Sequence, residues 1–412
     1  MGTRSWSALF LFALSLFVYL YNYPYRFWGA GGDTTAAELL PLAIARNHSL
    51  YFDGFEHPDG YWYQRVNGHT VSSYPIVPGF FNIPAYAIAH WRGVLLDSPH
   101  RSLLSMVTAS ILTATSVAFF FLALSNLVVR RSTAIASALV YAFGTTAMSV
   151  AARGMWQHGP SLFFLTSGLW LLTVGTRITV ALSGLAFGFA VFNRPVNLLI
   201  VAPLALYVLW KHGRAFLPFC AAAAIPAILM AWYSIHYWGS VRSLGQYSAS
   251  GLFSGQVGPS LAGLLFSPSR GLLVFTPLFL FSFIALFAIL RHPLREPLLA
   301  ALAVGIVATI ALYAKWFSWW GGTCFGYRLL TEIAPLLTIF LAAGWERFFA
   351  ARRYLYPLLG IAAVVSLYTH FLGAFYAPCG SDDHKILWSW RGGELARCTS
   401  KLADRVRTHL PQ

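Results

Sequence analysis

From Ser98 to Arg295 the chain contains no aspartate and no glutamate. Apolar runs fill most of that stretch, and the breaks between them carry arginine, lysine, glycine or proline. Only 10% of all residues are charged and 58% are hydrophobic, whereas a soluble domain has about 25% charged residues. A soluble chain of this size cannot hide so much apolar surface. The solvent implied is a bilayer, where a spanning segment must satisfy its own backbone hydrogen bonds, as a helix does. The expected fold class is therefore an all-α polytopic membrane protein.

Eleven spans are expected, near Trp6–Tyr23, Ser102–Val129, Ser132–Val150, Pro160–Val174, Ile178–Phe192, Val196–Leu209, Ala215–Tyr233, Gly271–Leu290, Pro297–Ala314, Leu329–Gly344 and Tyr354–Phe375. With the N-terminus in the cytoplasm, alternate junctions become cytoplasmic, and each is basic: Arg130-Arg131, Arg177, Lys211 with Arg214, Arg291 with Arg295, and Arg347 with Arg352-Arg353. The opposite face carries the long polar stretches, about 24–101, 234–270 and 315–328, and the tail 376–412. This divides the chain into a membrane domain, 1–375, and an external tail, 376–412. The net charge of +15 is scattered singly or in pairs between apolar runs. A nucleic-acid binder clusters such charge on one face, so nucleic acid is not an expected partner.

The acids gather outside the spans. Asp33, Glu38, Asp53, Glu56, Asp59 and Asp97 lie in the first external loop, and Asp382, Asp383, Glu394 and Asp404 in the tail. Proton-coupled carriers usually need acids among their helices; here acid or base chemistry must come chiefly from the outer face. Gly29–Gly32 suit a sharp exit from the first span. Asp33 then precedes a helical run, Thr34–Arg46, and reads either as a helix N-cap or as a base held by that cap. Farther along, Asn67-Gly68 between two alternating arms signals a type I′ hairpin. The next apolar stretch is broken by Pro75, Pro78 and Pro84, and is expected to skim the interface rather than cross.

Cations on the expected outer face break the positive-inside trend: Arg153, Arg194, Arg242, Arg270, Lys315 and Arg328. Few acids stand near to pair with them, and arginine's planar fork suits phosphate. Gln157, His158, His236, Trp320 and Tyr327 are candidates for substrate contact, though aromatic residues serve equally as an interfacial belt. The Gly- and Ser-rich 234–268 stretch reads as a flexible loop, a candidate lid. The tail cysteines Cys379 and Cys398 either pair in an oxidising compartment or stay free. Asp53 and Glu56 lack a recognisable metal-ligand spacing, and no obligatory metal is expected.

The order of Gly-Asp opening the first loop, "ARNHSLYFDGF", Tyr-Pro-x-x-Pro, "MWQHGP", "NRP", "SPSRGLLVFTP", "WWGG", "GYRLL" and "LWSW" resembles the GT-C superfamily of membrane glycosyltransferases. In style it is similar to bacterial arabinofuranosyltransferases, including those acting on type IV pilins. The resemblance implies a sugar donor on a polyprenyl-phosphate carrier, used on the non-cytoplasmic side. It further implies a bacterial inner membrane location and an envelope glycan, lipid or protein as acceptor. By position Asp33 would act on the acceptor hydroxyl in an inverting transfer. Arg194, Arg270, Arg328 and Lys315 would hold the lipid phosphate as it leaves. The alternative is a transporter or flippase of a lipid-linked sugar, which needs the arginines but no base; a non-catalytic assembly scaffold is the third reading. Against the transporter stand the asymmetric first loop and the lack of a visible inverted repeat.

Overall fold

The computed structural model describes residues 2–21, 32–56, 60–128, 130–243, 245–248, 250–377, 379 and 386–409. The expected turn over Gly29–Gly31 and the acids Asp59, Asp382 and Asp383 lie outside the described residues.

Helices dominate. In chain order they are α1 (Thr3–Tyr21), α2 (Thr35–Asn47), α3 (Val77–Trp91), α4 (Ser98–Leu124), α5 (Arg131–Phe143), α6 (Thr146–Ser149), α7 (His158–Val174), α8 (Arg177–Asn193), α9 (Leu198–Lys211), α10 (Gly213–Trp238), α11 (Val257–Phe266), α12 (Leu272–Phe275), α13 (Leu278–Leu290), α14 (Pro297–Ala314), α15 (Ala334–Gly344), α16 (Tyr356–Tyr376) and α17 (Glu394–His409). Among the described residues six segments are long and apolar enough to cross a membrane: Thr3–Tyr21, Ser98–Leu124, Gly213–Trp238, Pro297–Ala314, Arg328–Phe349 and Arg353–Tyr376. Shorter apolar helices include Arg177–Asn193, Pro195–Lys211 and Leu278–Leu290. The protein is an all-α polytopic membrane protein, as its composition requires.

Local chemistry sets the ends. Asp97 caps α4 by accepting the His100 amide, and Thr176 and Thr179 form a reciprocal capping box on α8. Two expected spans are interrupted. The 132–150 run breaks after Phe143, where Gly144 ends α5 and the Thr145 side chain caps α6. The 271–290 run breaks before α13, where Pro277 lacks the N–H that a continuous helix needs.

Glycine sets the closest helix approach. A Cβ on Gly184 of α8 would run into the Phe219 carbonyl of α10, so the two backbones pack without a side chain between them. The core is one large cluster running through α4, α5, α7–α9 and α12–α15. A smaller cluster joins α2 and the start of α3 to the hairpin and α10.

The first loop folds on that second cluster. β1 (Tyr63–Val66) pairs antiparallel with β2 (His69–Ser72), with Val66 opposite His69. Asn67 and Gly68 both take positive φ, 49° and 86°, as a type I′ turn requires. The proline-broken stretch becomes α3, which packs on α2 and α4 and is shorter than the roughly 20 residues a span needs. The 234–270 stretch is more ordered than its composition suggests. It holds a short 3-10 turn, Gly245–Ser248, and α11, which packs on α14. Gly263 serves close packing: a Cβ there would collide with the Trp319 ring.

Candidate active site

A cavity of about 920 Å³ opens between the first loop, the approach to α7, the end of α8, the 245–252 segment and the 316–329 loop. Asp33 forms part of its lining. Gly32 before it has φ +66°, and a Cβ there would overlap the Tyr61 phenol, so glycine lets the loop close onto the hairpin. Asp33 does not cap α2. Thr34 takes the N-cap position without a side-chain cap bond, and the Asp33 carboxylate is engaged elsewhere.

That carboxylate accepts from three side chains. Arg328 Nη1 donates to Oδ2 at 2.6 Å. Tyr74 Oη donates to Oδ1 at 2.5 Å and Tyr61 Oη to the same oxygen at 3.2 Å. Burial alone would raise its pKa, but the Arg328 charge and the hydrogen bonds from Tyr74, Arg328 and Tyr61 outweigh burial and hold the carboxyl below its ordinary value. Asp33 is thus an anion across the ordinary pH range. Tyr74, buried beside that anion, is pushed well above the usual phenol value and stays protonated as a donor.

A second charged group lies deeper. Arg194, at the C-cap of α8, donates through Nη1 to Glu332 Oε1 at 2.6 Å and through Nη2 to Tyr313 Oη at 2.5 Å. His158 Nδ1 stands 2.8 Å from the same Glu332 oxygen. Gln157 Oε1 accepts from Tyr247 Oη at 2.7 Å, tying the 245–248 turn over the cavity. Arg328 also lies 4.7 Å from the Trp156 ring centroid, a cation–π contact.

Nε of Arg194 and Nε of Arg328 are buried with no hydrogen-bond partner among the described residues, and an unmatched buried N–H of a charged group costs free energy. Both arginines line the cavity, and two guanidiniums on one cavity wall suit an anion.

Of the residues expected from sequence, Asp33, Gln157, His158, Arg194 and Arg328 line this cavity. The other five do not. Arg270 is buried and gives its donors to Glu394, to its own neighbour Ser269 and to the carbonyls of Trp320 and Gly322. Its carboxylate partner lies 124 residues away in sequence, which no local reading reveals. Lys315 is exposed, and its backbone carbonyl holds the Gly255 amide. His236 is exposed on α10 and stacks on Trp232. Trp320 contributes a carbonyl to Arg270. Tyr327 is buried in the core, with its hydroxyl on Thr276.

Sequence reasoning missed Tyr61, Tyr74, Tyr247, Tyr313 and Glu332. The first four look like ordinary belt aromatics, although Tyr74 opens the Tyr-Pro-x-x-Pro motif. Glu332 was legible as an acid near the top of a span, yet its pairing with Arg194 depends on the fold.

Arg328 and the two phenols contact both oxygens of Asp33. Among the described residues no group of three or more His, Cys, Asp or Glu is placed to hold a metal ion.

No family model matches the sequence, and no curated protein matches it. Solved structures do match. The Archaeoglobus fulgidus oligosaccharyltransferase in its apo form superposes with a TM-score of 0.51 at 12% identity, over 92% of this chain and 57% of that one. Its complex with an inhibitory peptide and a dolichol-phosphate gives 0.52 at 11% identity, over 94% and 57%. The complex with Zn and sulfate gives 0.51 at 13% identity, over 98% and 56%. This chain has the fold of an oligosaccharyltransferase. It spans just over half the length of those proteins. At the level of fold, this bears out the GT-C resemblance.

Proposed function

We propose that the protein is a membrane glycosyltransferase that moves a sugar from a polyprenyl-phosphate carrier to an acceptor hydroxyl in this cavity. The observation that carries the reading is one ionised carboxylate and two guanidiniums, Arg194 and Arg328, lining the same cavity. A lipid-linked phosphate answers those donors, and a hydroxyl answers the carboxylate.

The surroundings support a lipid tail. An apolar groove of about 380 Å³ is lined by Val77 and Phe81 of α3, Phe189 and Phe192 of α8, and Trp232 and Tyr233 of α10, among others. Phe192 and Tyr233 also line a small pocket that shares Tyr74 with the main cavity. The polyprenyl chain would lie in the groove while its phosphate reaches past Tyr74.

In the proposed step the acceptor oxygen attacks the anomeric carbon as the bond from that carbon to the phosphate oxygen breaks. The acceptor proton passes to Asp33, and polyprenyl phosphate leaves with the bonding electron pair. The depressed pKa of Asp33 makes it a weak base, so its work is to orient the hydroxyl and accept the proton late, as the new bond acidifies it. Arg194 and Arg328 meet the charge growing on the phosphate. One displacement gives inversion at the anomeric carbon. One archaeal neighbour is bound to an inhibitory peptide and a dolichol-phosphate and another to Zn and sulfate; the first agrees with a lipid donor and leaves the acceptor class open to test. By orientation the cavity faces the periplasm or exterior of a bacterial inner membrane.

The test uses purified protein, polyprenyl phosphate carrying a radiolabelled sugar, and crude envelope as acceptor. Label transferred to acceptor supports the enzyme. Label crossing vesicle membranes without transfer supports a flippase and refutes the reading.

A further inference from the structure

Arg270 stands outside the cavity, yet it is the largest of the almost fully buried side chains. Its environment is a junction of three segments distant in sequence. Nη1 donates to Glu394 Oε2 at 2.7 Å. Nε donates to the Trp320 carbonyl at 3.0 Å and Nη2 to the Gly322 carbonyl at 3.2 Å. The same Glu394 oxygen accepts the Gly326 amide at 2.9 Å. One ion pair therefore holds both ends of the 320–326 loop.

That loop builds the cavity. Gly321, Gly322 and Thr323 form part of its wall, and the segment ends at Arg328. The Gly321 carbonyl accepts Arg328 Nη2 at 2.7 Å, opposite the bond from Nη1 to Asp33. Fixing Gly321 thus sets the fork that faces Asp33.

Glu394 belongs to the tail and begins α17. The tail is fastened twice more. Ser267 and Ser269 donate to the carbonyls of Leu387 and Ile386 at 2.6 and 3.1 Å. Cys379, just beyond α16, is disulfide-bonded to Cys398 in α17, which packs on α16. The pairing left open by the sequence is thereby formed.

We propose that Arg270 and Glu394 are positioning residues, which clamp the 320–326 loop and so hold Arg328 against Asp33, and that the disulfide-bonded tail is a working part of the active site. The roles of Arg328 and Asp33 rest on the proposed function; the mechanical link does not. A buried pair depends on further hydrogen bonds, and the 320–326 loop supplies them to Arg270 and to Glu394 Oε2, while Glu394 Oε1 has no partner among the described residues. Lysine would not replace Arg270, because a single ammonium cannot reproduce the planar fork that reaches Glu394, Trp320 and Gly322 together.

The test is hydrogen–deuterium exchange on the full chain in detergent, with wild type, Glu394→Gln, Arg270→Lys and Cys398→Ser, joined to donor kinetics. In Glu394→Gln and Arg270→Lys the 318–328 segment should exchange at least about tenfold faster, while α4 and α15 keep wild-type protection. Cys398→Ser, which leaves both charges in place, should loosen the same segment less. Donor kcat/KM should fall about 10- to 100-fold in the two clamp variants, with acceptor KM little changed. In an Arg328→Lys background Glu394→Gln should add little further loss, because the two act through one fork.

Unchanged exchange of 318–328 in the clamp variants would overturn the proposal, as would a loosened loop with undiminished kcat/KM. Should Glu394→Gln and Arg270→Lys fail to fold, Cys398→Ser decides in the same way. If the wild-type chain transfers no sugar, the functional reading fails on its own, and the exchange data still decide whether the clamp holds the loop.

Discussion

Asp33→Asn is the sharpest perturbation of the chemistry. The amide keeps the shape and one oxygen to accept from Tyr74, but it can neither take a proton nor balance Arg328. Loss of a positioned proton acceptor costs about 10²- to 10⁴-fold in rate, which corresponds to about 3–5 kcal/mol of barrier. The structural cost should be smaller. Breaking a fully buried ion pair costs about 3–5 kcal/mol, yet the Asp33 and Arg328 side chains keep 21% and 14% of their exposure, so about 1–3 kcal/mol is expected after screening. The variant should therefore insert, melt a few degrees lower and turn over about a thousandfold more slowly. The assay is transfer of radiolabelled sugar from polyprenyl phosphate in detergent, beside a thermal melt of the same preparation. Turnover within about tenfold of wild type would refute the base assignment, since no positioned base contributes so little.

Arg194→Gln leaves Glu332 buried without its guanidinium; donor KM should rise about tenfold or more while Arg194→Lys restores folding better than donor affinity, and equal donor affinity in all three proteins would argue against a phosphate contact. Tyr74→Phe removes a hydrogen bond that favours the Asp33 anion. The carboxylate is the active form and is lost as pH falls through its folded pKa, so the acid limb of kcat/KM should move to higher pH; an unmoved limb would contradict the assignment. The same depressed pKa means that the Asp33–Arg328 pair contributes stability above the unfolded carboxylate pKa and loses it as pH falls through the folded one. Gly184→Ala pushes a Cβ into the Phe219 carbonyl, and the protein should lose about 1–3 kcal/mol, read as a lower melting temperature.

Much of the fold was legible because bilayer physics writes itself in long apolar runs: the expected Pro297–Ala314 span is α14 residue for residue. Basic junctions and a strong turn pair located further ends and the hairpin. The breaks at Gly144 and Pro277 were less legible, since a glycine or proline inside a hydrophobic run does not by itself say whether the helix bends or stops. At the site, Asp33, Arg194 and Arg328 stood out because charge beside a membrane is costly and rare. Tyr61 and Tyr313 did not, because a phenol at the membrane interface has the same sequence signature whether it faces lipid or a carboxylate. Arg270 shows the opposite error. Its charge signalled importance, but only the fold reveals that Glu394 answers it and that its place is behind the loop rather than in the cavity.

The central claim is that the guanidiniums of Arg194 and Arg328 receive the phosphate of a lipid carrier. The most direct measurement is a cryo-electron microscopy structure of the protein in nanodiscs with a polyprenyl-phosphate sugar and the Asp33→Asn substitution to stall turnover. The account predicts phosphate oxygens within hydrogen-bond reach of both guanidiniums, with the isoprenoid chain passing Tyr74 into the groove lined by Phe192 and Tyr233. A phosphate bound elsewhere, with both guanidiniums left as they are now, would contradict it.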